Sequence, residues 1–411
     1  MDLVCLSRLH WGHADQRPQN LMSRASKAYR VFFVEESPSE NLTQHGLPAR
    51  LDVTRLDNSV RIVRLHLAAG LVGPKRNELR RDLLADLFRR YHITQYILWY
   101  FTPAAIAYTD QLSPWLTVYD CSNDIVMAPE AAPRLLAKEA ELLRRADLVF
   151  ADGRSLFEAK RQVHPHVHLL PSAVDRDHFA QARNWVPEPA DQGSIARPRL
   201  GYHGTIDERL DPGLIESIAR ARPDWQLVFL GPRSEMSPVA LPRQANIHYL
   251  GPKSYAELPA YLAGWDAAIL PLALNEATRY LASTTAAEYL ASGKPVIATP
   301  VQDISAEFGG PGLVQIASTA AGFVEAVGAV LAARRDQRGW LRRVDAHLAE
   351  SSWDRTWHAM STLVEREINI RRAPLLAQAR IRHSHVGELL CEELANPEAG
   401  LSDGRAKHPH W

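Results

Sequence analysis

Short runs of β-branched and aromatic residues alternate with amphipathic segments over most of this chain. The runs have the length and composition of buried strands, and the segments between them have the spacing of helices. Residues 77–91 show this spacing, with Leu79, Leu83 and Leu87 on one face and arginines on the other. Strands that alternate with helices require crossover connections. The sequence therefore predicts α/β architecture, with parallel, doubly wound sheets that carry helices on both faces.

The predicted strands fall into two series, separated by a segment rich in Pro, Gly and polar residues. The first series is Leu3–Ser7, Arg30–Glu35, Val60–Leu67, Gln95–Phe101, Leu116–Cys121, Asp147–Ala151 and Val167–Pro171. The second series is Pro198–Tyr202, Trp225–Leu230, Ile247–Leu250, Asp266–Leu272, Pro295–Thr299 and Leu313–Ile316. We therefore expect two Rossmann-like domains, residues 1–185 and 198–350, joined by a linker over residues 186–197.

Two further segments complete this division of the chain. Ser352, Trp353 and Asp354 open a helix that we expect over residues 351–370, packed back on the N-terminal domain. The tail, residues 371–411, has no clear pattern, and we expect it to be partly disordered. Two domains that face each other form a cleft at the carboxyl ends of their strands, where parallel sheets bind ligands.

Composition narrows the possible partners and compartments. The chain has 47 basic and 47 acidic residues, so no overall charge indicates a nucleic-acid partner. Cys5, Cys121 and Cys391 are too few and too far apart for a disulfide framework or a zinc site. The chain shows no signal segment and no apolar run long enough to span a membrane. We expect a cytoplasmic protein that is soluble or peripheral at the inner face of the membrane.

One stretch of the second half indicates where a ligand binds. Residues 275–285 are polar, follow an apolar strand and lead into a short helix that ends at Gly293. The first amides of a helix have no internal partners and carry the positive end of its dipole. The helix entrance is therefore a predicted site for an anion, and a phosphate fits there.

Several motifs follow one another along the chain, namely Arg17–Gln19, Tyr119–Cys121, Arg144–Val149, Pro171–Asp175, Gly201–Asp211, Asn246–Gly251 and Asn275–Pro300. In this order they resemble the motifs of bacterial GT-B glycosyltransferases of the retaining family 4, of the teichuronic acid and exopolysaccharide type. The resemblance covers about residues 1–365. It implies that the C-terminal domain holds a nucleotide-diphosphate sugar, that the N-terminal domain presents the acceptor, and that no metal or other cofactor is required.

The resemblance and the loop chemistry together give the candidate donor-binding residues. They are Gly204, Thr205, Arg209, Arg279, Thr284, Thr285 and Glu288. The backbone N–H groups of Gly204 and Thr205 could approach a diphosphate, although a plain tight turn explains them equally well. Arg209 and Arg279 could bind phosphate or be ordinary surface arginines. The resemblance gives Glu288 the ribose hydroxyls, whereas Thr285 and Glu288 also fit a capping box.

The chain departs from the family pattern at three positions near this site. Tyr280 stands where members usually carry an acid, Thr285 where they usually carry a lysine, and Glu235 where a basic residue is usual. A departing nucleotide diphosphate gains negative charge, which a nearby positive side chain stabilises. The absence of the usual lysine and of the usual basic residue therefore bears on catalysis. The departures leave open an alternative, a catalytically degenerate homologue that acts as a partner or regulator.

The resemblance places the acceptor near the first strand. Its acceptor-side candidates are Arg17 and Gln19, with His10 and Trp11 as neighbours, although a lone Trp near a strand end is more often part of a core. Asp120, Asn123 and Asp124 end another strand at the same edge and could orient an acceptor hydroxyl or simply form a turn. The candidate catalytic residues are therefore Asp120, Asp124 and Arg209.

Two other patterns remain. A helix face formed by Arg76, Arg80, Arg81, Arg89 and Arg90 could contact anionic lipid but is more typical of a solvated surface. The histidines at 164, 166 and 168 lack a matching acid, so we predict no metal there.

The function expected from these motifs is transfer of a hexose-type sugar from a nucleotide-diphosphate donor to a carbohydrate or lipid-linked acceptor. The resemblance implies retention and a role in surface polysaccharide or glycoconjugate synthesis. A second alternative is a nucleotide-sugar epimerase on the same fold.

Overall fold

The structure is a computed structural model that describes residues 1–12, 16–35, 42–43, 49–56, 59–68, 71–121, 132–234, 240–332 and 337–373. The chain divides into two compact units, Met1–Ser361 and Thr362–Trp411. Unit 1 contains both sheets. The described part of unit 2 is helical, and the predicted tail lies outside the described residues from 374 onward.

The N-terminal half of unit 1 is built on a sheet to which nine of the described strands belong. The strands are β1 (Asp2–Ser7), β2 (Arg30–Glu35), β3 (Leu42–Thr43), β4 (Arg50–Arg55), β5 (Arg61–Ala68), β6 (Tyr96–Tyr100), β7 (Leu116–Cys121), β8 (Leu148–Ala151) and β9 (Val167–Leu169). Their spatial order is β3-β5-β2-β1-β6-β7-β8-β9, with β4 paired antiparallel to β5. All other pairs are parallel.

The C-terminal half is built on a second, parallel sheet to which six of the described strands belong. The strands are β10 (Arg199–His203), β11 (Gln226–Leu230), β12 (Ile247–Tyr249), β13 (Ala267–Leu270), β14 (Val296–Ala298) and β15 (Val314–Ile316). Their order is β12-β11-β10-β13-β14-β15. In both sheets the order reverses beside the first strand of the half, which creates a topological switch point between β1 and β6 and between β10 and β13.

Helices connect the strands, as the alternating pattern predicts. They are α1 (Arg17–Ala25), α2 (Gly73–Arg90), α3 (Ile106–Thr109), α4 (Ala132–Arg145), α5 (Arg154–Lys160), α6 (Arg176–Ala180), α7 (Ala190–Gly193), α8 (Pro212–Ala221), α9 (Leu258–Ala263), α10 (Thr284–Ala291), α11 (Gln302–Ile304), α12 (Ala320–Ala332), α13 (Gln337–Leu348) and α14 (353–373). Within the described ranges no helix has both the length and the apolar composition needed to cross a bilayer.

The predicted fold class is confirmed, and each predicted strand is present with small shifts at its ends. Strand β4 is an addition that the sequence pattern does not predict. Along it only Leu51 is buried, because β4 lies at the sheet edge and pairs on one side only. A strand with so little buried surface lacks the apolar run by which the other strands are recognised.

The predicted linker, residues 186–197, is not an open connection. It contains α7, and the buried side chain of Gln192 donates to the Tyr261 carbonyl (3.0 Å) and accepts from the Trp265 indole N–H (3.0 Å). The segment therefore packs on the second sheet and its helices. The predicted domain boundaries themselves stay predictions.

Close packing in the second sheet depends on Gly201 in β10. A Cβ atom at this position would overlap the indole ring of Trp265, which is itself buried. Only glycine lets the tryptophan lie flat against the strand that leads to the carboxyl edge of this sheet.

We expect Gly201→Ala to lower the free energy of unfolding by about 1–3 kcal/mol, because neither the strand nor the indole can yield without breaking close packing. Chemical denaturation followed by circular dichroism measures the change. The matched control is Gly328→Ala in α12, where an added Cβ meets no atom within 4 Å. There the expected change is a gain of about 0.5–1 kcal/mol. Equal effects of the two substitutions would contradict the packing argument.

Candidate functional site

A cavity of about 380 Å³ lies where both switch points meet within unit 1. From the N-terminal half it is lined by residues at or after the ends of β1, β6, β8 and β9, and from the C-terminal half by the last residue of β10 and the first residues of α10. Its volume is within the range of small-molecule sites. Ligands of open parallel sheets bind at such positions, so this crevice is the candidate functional site.

The C-terminal wall of the crevice includes the entrance of α10, as the sequence predicts. Thr284, Thr285 and Glu288 line the cavity. Helix α10 begins at Thr284, no side chain caps its first amides, and the preceding Ser283 hydroxyl instead donates to Glu307. The first amides of α10 thus lack a side-chain acceptor and remain suited to an anion.

Glu288 does not form the capping box that its spacing allows. Its Oε2 lies 3.2 Å from Nε2 of His203, at the carboxyl end of β10. The His203 ring is held from two sides, stacked parallel to Phe179 with centroids 6.3 Å apart and edge-on to Tyr289 at 4.9 Å. Glu288 thus lies at the crevice wall beside His203, whose Nε2 is buried without a hydrogen-bond partner among the described residues.

The N-terminal wall is organised around the buried side chain of Arg17, the first residue of α1. Its Nε donates to Asp120 Oδ1 (2.8 Å), and its Nη1 donates to Asp152 Oδ1 (3.2 Å) and to the Ser172 hydroxyl (3.3 Å). These partners follow or end three neighbouring strands. Arg17 thus connects the ends of β7, β8 and β9 and lines the cavity itself.

The two carboxylates that share Arg17 differ in their access to the crevice. Asp120 is 0% exposed and does not line the cavity, whereas Asp152 does. Burial raises the pKa of Asp120 to about 6, although the Arg17 charge beside it acts in the opposite direction. Asp152 Oδ1 also accepts from the Ser172 amide (2.6 Å), and Asp152 Oδ2 has no hydrogen-bond partner among the described residues. Of the two, Asp152 is the group that can touch a ligand.

The other acceptor-side candidates form a support behind this wall. The amide of Trp11 donates to Glu35 Oε1 (2.9 Å), and His10 Nδ1 lies 3.2 Å from Glu35 Oε2. Gln19 Nε2 donates to the His10 carbonyl (2.9 Å), and Trp11 packs edge-on against Phe33. None of His10, Trp11 and Gln19 is among the described residues that line the cavity.

The predicted phosphate-binding arginines have other partners. Arg209 makes a two-pronged ion pair with the buried Asp207 (Nε to Oδ1 2.8 Å, Nη2 to Oδ2 2.6 Å). Arg279 is exposed and lies 3.3 Å from Glu276. Neither lines the cavity in the described part of the chain. Each guanidinium pairs with an acid two or three residues away in the sequence. The position of an arginine on a loop does not by itself show that it has such a partner.

The glycine loop after β10 is a tight turn. Gly204 has φ +142°, and its amide donates to the Leu230 carbonyl (3.0 Å). The Gly204 amide, one of the two predicted to approach a diphosphate, is therefore already occupied by the neighbouring strand. The next residue, Thr205, accepts from the Tyr202 hydroxyl through its carbonyl (3.1 Å) and does not line the cavity that the described residues form.

The structure shows the surroundings of two of the three departures from the family pattern. Tyr280 is half-buried and packs against apolar side chains of the N-terminal core, so it joins the two halves where an acid is usual. Thr285 lines the cavity without a charge. Glu235, Asn123 and the candidate catalytic Asp124 lie outside the described residues.

A second contact between the halves lies at α5 and α11. Asp303 of α11 accepts from the Ser155 amide of α5 (2.9 Å), and burial raises the pKa of Asp303. Gly153 leaves room for this carboxylate, because a Cβ there would overlap Asp303 Oδ2. The acid therefore caps a helix of the opposite half, beside the strand end that carries Asp152.

A larger cavity, about 660 Å³, lies at the opposite, amino edge of the second sheet. Its Lys294 donates to the carbonyls of Ala263 and Trp265 (both 3.0 Å), and burial lowers the pKa of this ammonium group to about 8. We place the functional site in the smaller crevice, because open parallel sheets bind ligands at their carboxyl edge.

Two expectations about surfaces and metals stay predictions. Within the described ranges no three His, Cys, Asp or Glu side chains are grouped to hold a metal. In α2, Arg80 packs over the Tyr108 ring, Arg81 pairs with Asp110, and Arg89 and Arg90 pair with Asp86. Much of the basic face is thus engaged within the protein.

Several crevice residues are absent from the set predicted from the sequence. Arg8, Asp152, Ser172 and His203 all line the cavity. Each lies at or directly after the end of a predicted strand, so the rule that selects Asp120 could also have identified them.

Comparison with known proteins agrees with this geometry. Residues 197–333 match the family Glycosyl transferases group 1. Over 229 residues the chain is 28% identical to the putative teichuronic acid biosynthesis glycosyltransferase TuaH of Bacillus subtilis (strain 168). That alignment covers 51% of this chain and 56% of the relative, so the chain matches little more than half of the relative's length.

Solved structures share the whole two-sheet architecture. Sucrose-phosphate synthase from Thermosynechococcus elongatus has a TM-score of 0.64 at 17% identity and covers 89% of this chain and 99% of its own. A trehalose-6-phosphate structure from E. coli bound with UDP-2-fluoro glucose has 0.63 at 12%, covering 88% and 98%. Anabaena HepE in complex with UDP and glucose has 0.62 at 13%, covering 89% and 99%. The resemblance inferred from the sequence motifs is thus confirmed, including its fold.

The buried Asp120 gives a pH prediction. Its pKa is higher in the folded protein than in the unfolded chain, so the folded state binds the proton more tightly and the group's contribution to stability increases as pH falls through 6. We expect the free energy of unfolding of the wild type, minus that of Asp120→Asn, to be larger at pH 5 than at pH 8 by on the order of 1 kcal/mol. Urea denaturation at a series of pH values measures this difference, and a pH-independent difference would contradict the assignment.

Proposed function

We propose that this chain, a GT-B-fold protein with a group 1 glycosyl transferase domain, moves a hexose-type sugar from a nucleotide-diphosphate donor to a carbohydrate or lipid-linked acceptor. The reaction proceeds with retention and serves surface polysaccharide or glycoconjugate synthesis in the cytoplasm or at the inner face of the membrane. The observation that supports this proposal most directly is the crevice at which both switch points meet, with the entrance of α10 in one wall and Asp152 in the other.

The donor is assigned to the C-terminal wall. The first amides of α10 receive phosphate oxygens, since they carry the positive end of the helix dipole. Glu288 accepts hydrogen bonds from the ribose hydroxyls, and its Oε2 lies 3.2 Å from Nε2 of His203. The group 1 domain match over residues 197–333 supports this assignment, because it contains all of these residues.

The acceptor is assigned to the N-terminal wall. Asp152 is held on Oδ1 by Arg17 and by the Ser172 amide, which leaves Oδ2 available to accept from an acceptor hydroxyl. Fixing that hydroxyl brings it within reach of the sugar carbon bound on the other side of the crevice. Asp120, named from the sequence, acts behind it by neutralising Arg17.

Retention is proposed to proceed without a covalent glycosyl-enzyme intermediate. In this mechanism an oxygen of the donor's own phosphate deprotonates the acceptor hydroxyl, so the protein supplies position and charge. Of the carboxylates that line the described cavity, Asp152 is assigned to the acceptor hydroxyl, Glu288 to the ribose, and Asp175 accepts from the His178 amide, so none of them is assigned as a nucleophile. No metal enters this scheme.

The two alternative functions give different products. A degenerate homologue would bind the nucleotide sugar without cleaving it. An epimerase would convert the nucleotide sugar into its epimer without any acceptor. The comparisons favour neither. Product analysis after incubation with donor alone and with donor plus acceptor distinguishes the three functions. Only for a transferase does the amount of released nucleotide depend on the acceptor.

The donor assignment predicts nucleotide binding. We expect isothermal titration calorimetry with UDP, GDP, ADP and TDP to detect binding of at least one of them. Glu288→Gln should lower its affinity about tenfold or more, because a charge-assisted hydrogen bond to ribose is lost. The matched control is Glu276→Gln, an exposed acid of the same polar segment that should change affinity less than about twofold. Absence of any nucleotide binding would refute the proposed function.

The acceptor assignment predicts a separation of binding from turnover. We expect Asp152→Asn to lower kcat/KM for the acceptor by about 10²-fold, because the amide orients the hydroxyl less well than the carboxylate. Nucleotide affinity should change much less than turnover, because Asp152 is assigned to the acceptor and Glu288 and the α10 amides to the nucleotide. Measurement of nucleotide release with and without acceptor, beside calorimetry, tests both statements. Wild-type turnover in the variant would exclude this role.

A further inference from the structure

A nucleotide-diphosphate donor bound in the crevice needs positive charge near its phosphates. The diphosphate is anionic and gains negative charge as it departs, so fixed cations nearby lower the barrier. On the C-terminal wall Thr285 is neutral, Glu288 is acidic, and Arg209 and Arg279 are paired away from the cavity. Helix amides alone carry only partial charges.

The N-terminal wall contains two arginines that line the same cavity. Arg8 directly follows β1, lines the cavity and is exposed, and no described carboxylate pairs with it. Arg17 also lines the cavity, and its Nη2 is buried without a hydrogen-bond partner although Nε and Nη1 are both engaged.

Arg17 adds positive charge to this wall without offering a free edge. Its Nη2 lies on the same edge of the guanidinium as Nε, which donates to Asp120, and Asp120 Oδ2 is likewise buried without a hydrogen-bond partner among the described residues. The unsatisfied donor and acceptor belong to one ion pair, so Arg8 is the guanidinium of this wall that a ligand can reach. Arg8 and the uncapped entrance of α10 are separate observations that indicate the same kind of ligand in one cavity.

We propose that Arg8, with the buried charge of Arg17 behind it, binds the diphosphate of the donor from the N-terminal domain, in place of the cation that the C-terminal loops of this chain lack. This inference rests on the proposed function. It makes the diphosphate a ligand of both halves, held by the amides of α10 on one side and by guanidinium groups on the other. The charge that stabilises the leaving group is then present only when both walls are in place.

An anionic group on the acceptor is the other possible source of the oxyanion. We assign the arginines to the donor because Arg8 lies at the switch point of the first sheet and lines the same cavity as the entrance of α10 in the C-terminal half. The number of phosphate groups on the nucleotide distinguishes the two sources. A cation at the diphosphate affects a nucleoside diphosphate more than the corresponding monophosphate.

The experiment compares wild type and Arg8→Gln by calorimetry, using the tightest binder among UDP, GDP, ADP and TDP and its monophosphate. Arg8 is exposed, so the variant should fold, and thermal unfolding checks this. We expect the substitution to weaken diphosphate binding about tenfold and to reduce the ratio of diphosphate to monophosphate affinity. The salt dependence of diphosphate binding should also become weaker in the variant.

Arg279→Gln is the matched control. It removes an arginine from the polar segment before α10, where the sequence suggests a phosphate contact, but Arg279 is exposed and does not line the described cavity. It should leave the affinity ratio unchanged. The reverse pattern, loss in Arg279→Gln and none in Arg8→Gln, would overturn the inference.

Failure of this inference is distinguishable from failure of the proposed function. If the wild type binds a nucleoside diphosphate and Arg8→Gln keeps the same ratio of affinities, the inference is wrong and the proposed function stands. An unchanged ratio together with a raised KM for an anionic acceptor would assign Arg8 to the acceptor and also overturn the inference. If the wild type binds none of the nucleotides, both fall together.

Discussion

The ion pairs of Arg17 determine most of the arrangement at the crevice. A buried guanidinium is tolerated only when acids and hydrogen-bond acceptors surround it. Arg17 meets this condition by drawing together Asp120, Asp152 and Ser172 from three neighbouring strand ends. The same requirement fixes the first turn of α1 against the carboxyl edge of the first sheet. Loss of this one cation would leave two carboxylates uncompensated in the wall on which the proposed acceptor site is built.

The two halves contribute unlike chemistry to a common space. The C-terminal wall offers helix amides and the carboxylate of Glu288, and the N-terminal wall offers guanidinium groups and Asp152. Neither wall alone presents both an anion site and a cation facing it. Contacts such as that between Asp303 and the Ser155 amide keep the walls adjacent, so the relative position of the halves is itself part of the proposed site.

Features that depend on interactions over a short stretch of chain could be predicted from the sequence. The strands, the helix positions and the polar entrance of α10 follow from local periodicity and breaking residues. The roles suggested for Arg209 and Arg279 depended on which acid each guanidinium meets, and the structure pairs them with Asp207 and Glu276, two and three residues away. The rule that parallel sheets bind ligands at the carboxyl ends of their strands selects Asp120. It does not show whether Asp120 or Asp152 is accessible to a ligand, because the depth of a side chain in the wall depends on helices that are distant in sequence.

The sequence by itself determined the doubly wound architecture, the two series of strands and the family resemblance. These features are encoded in patterns that repeat within a few residues. Only the tertiary structure decided which charges face the crevice. Arg8, Arg17, His203 and Glu288 share one cavity although they lie far apart in the chain, since crossover connections bring the carboxyl ends of distant strands to the same edge. Burial and long-range pairing, which no local pattern records, then selected the side chains that remain available to a ligand.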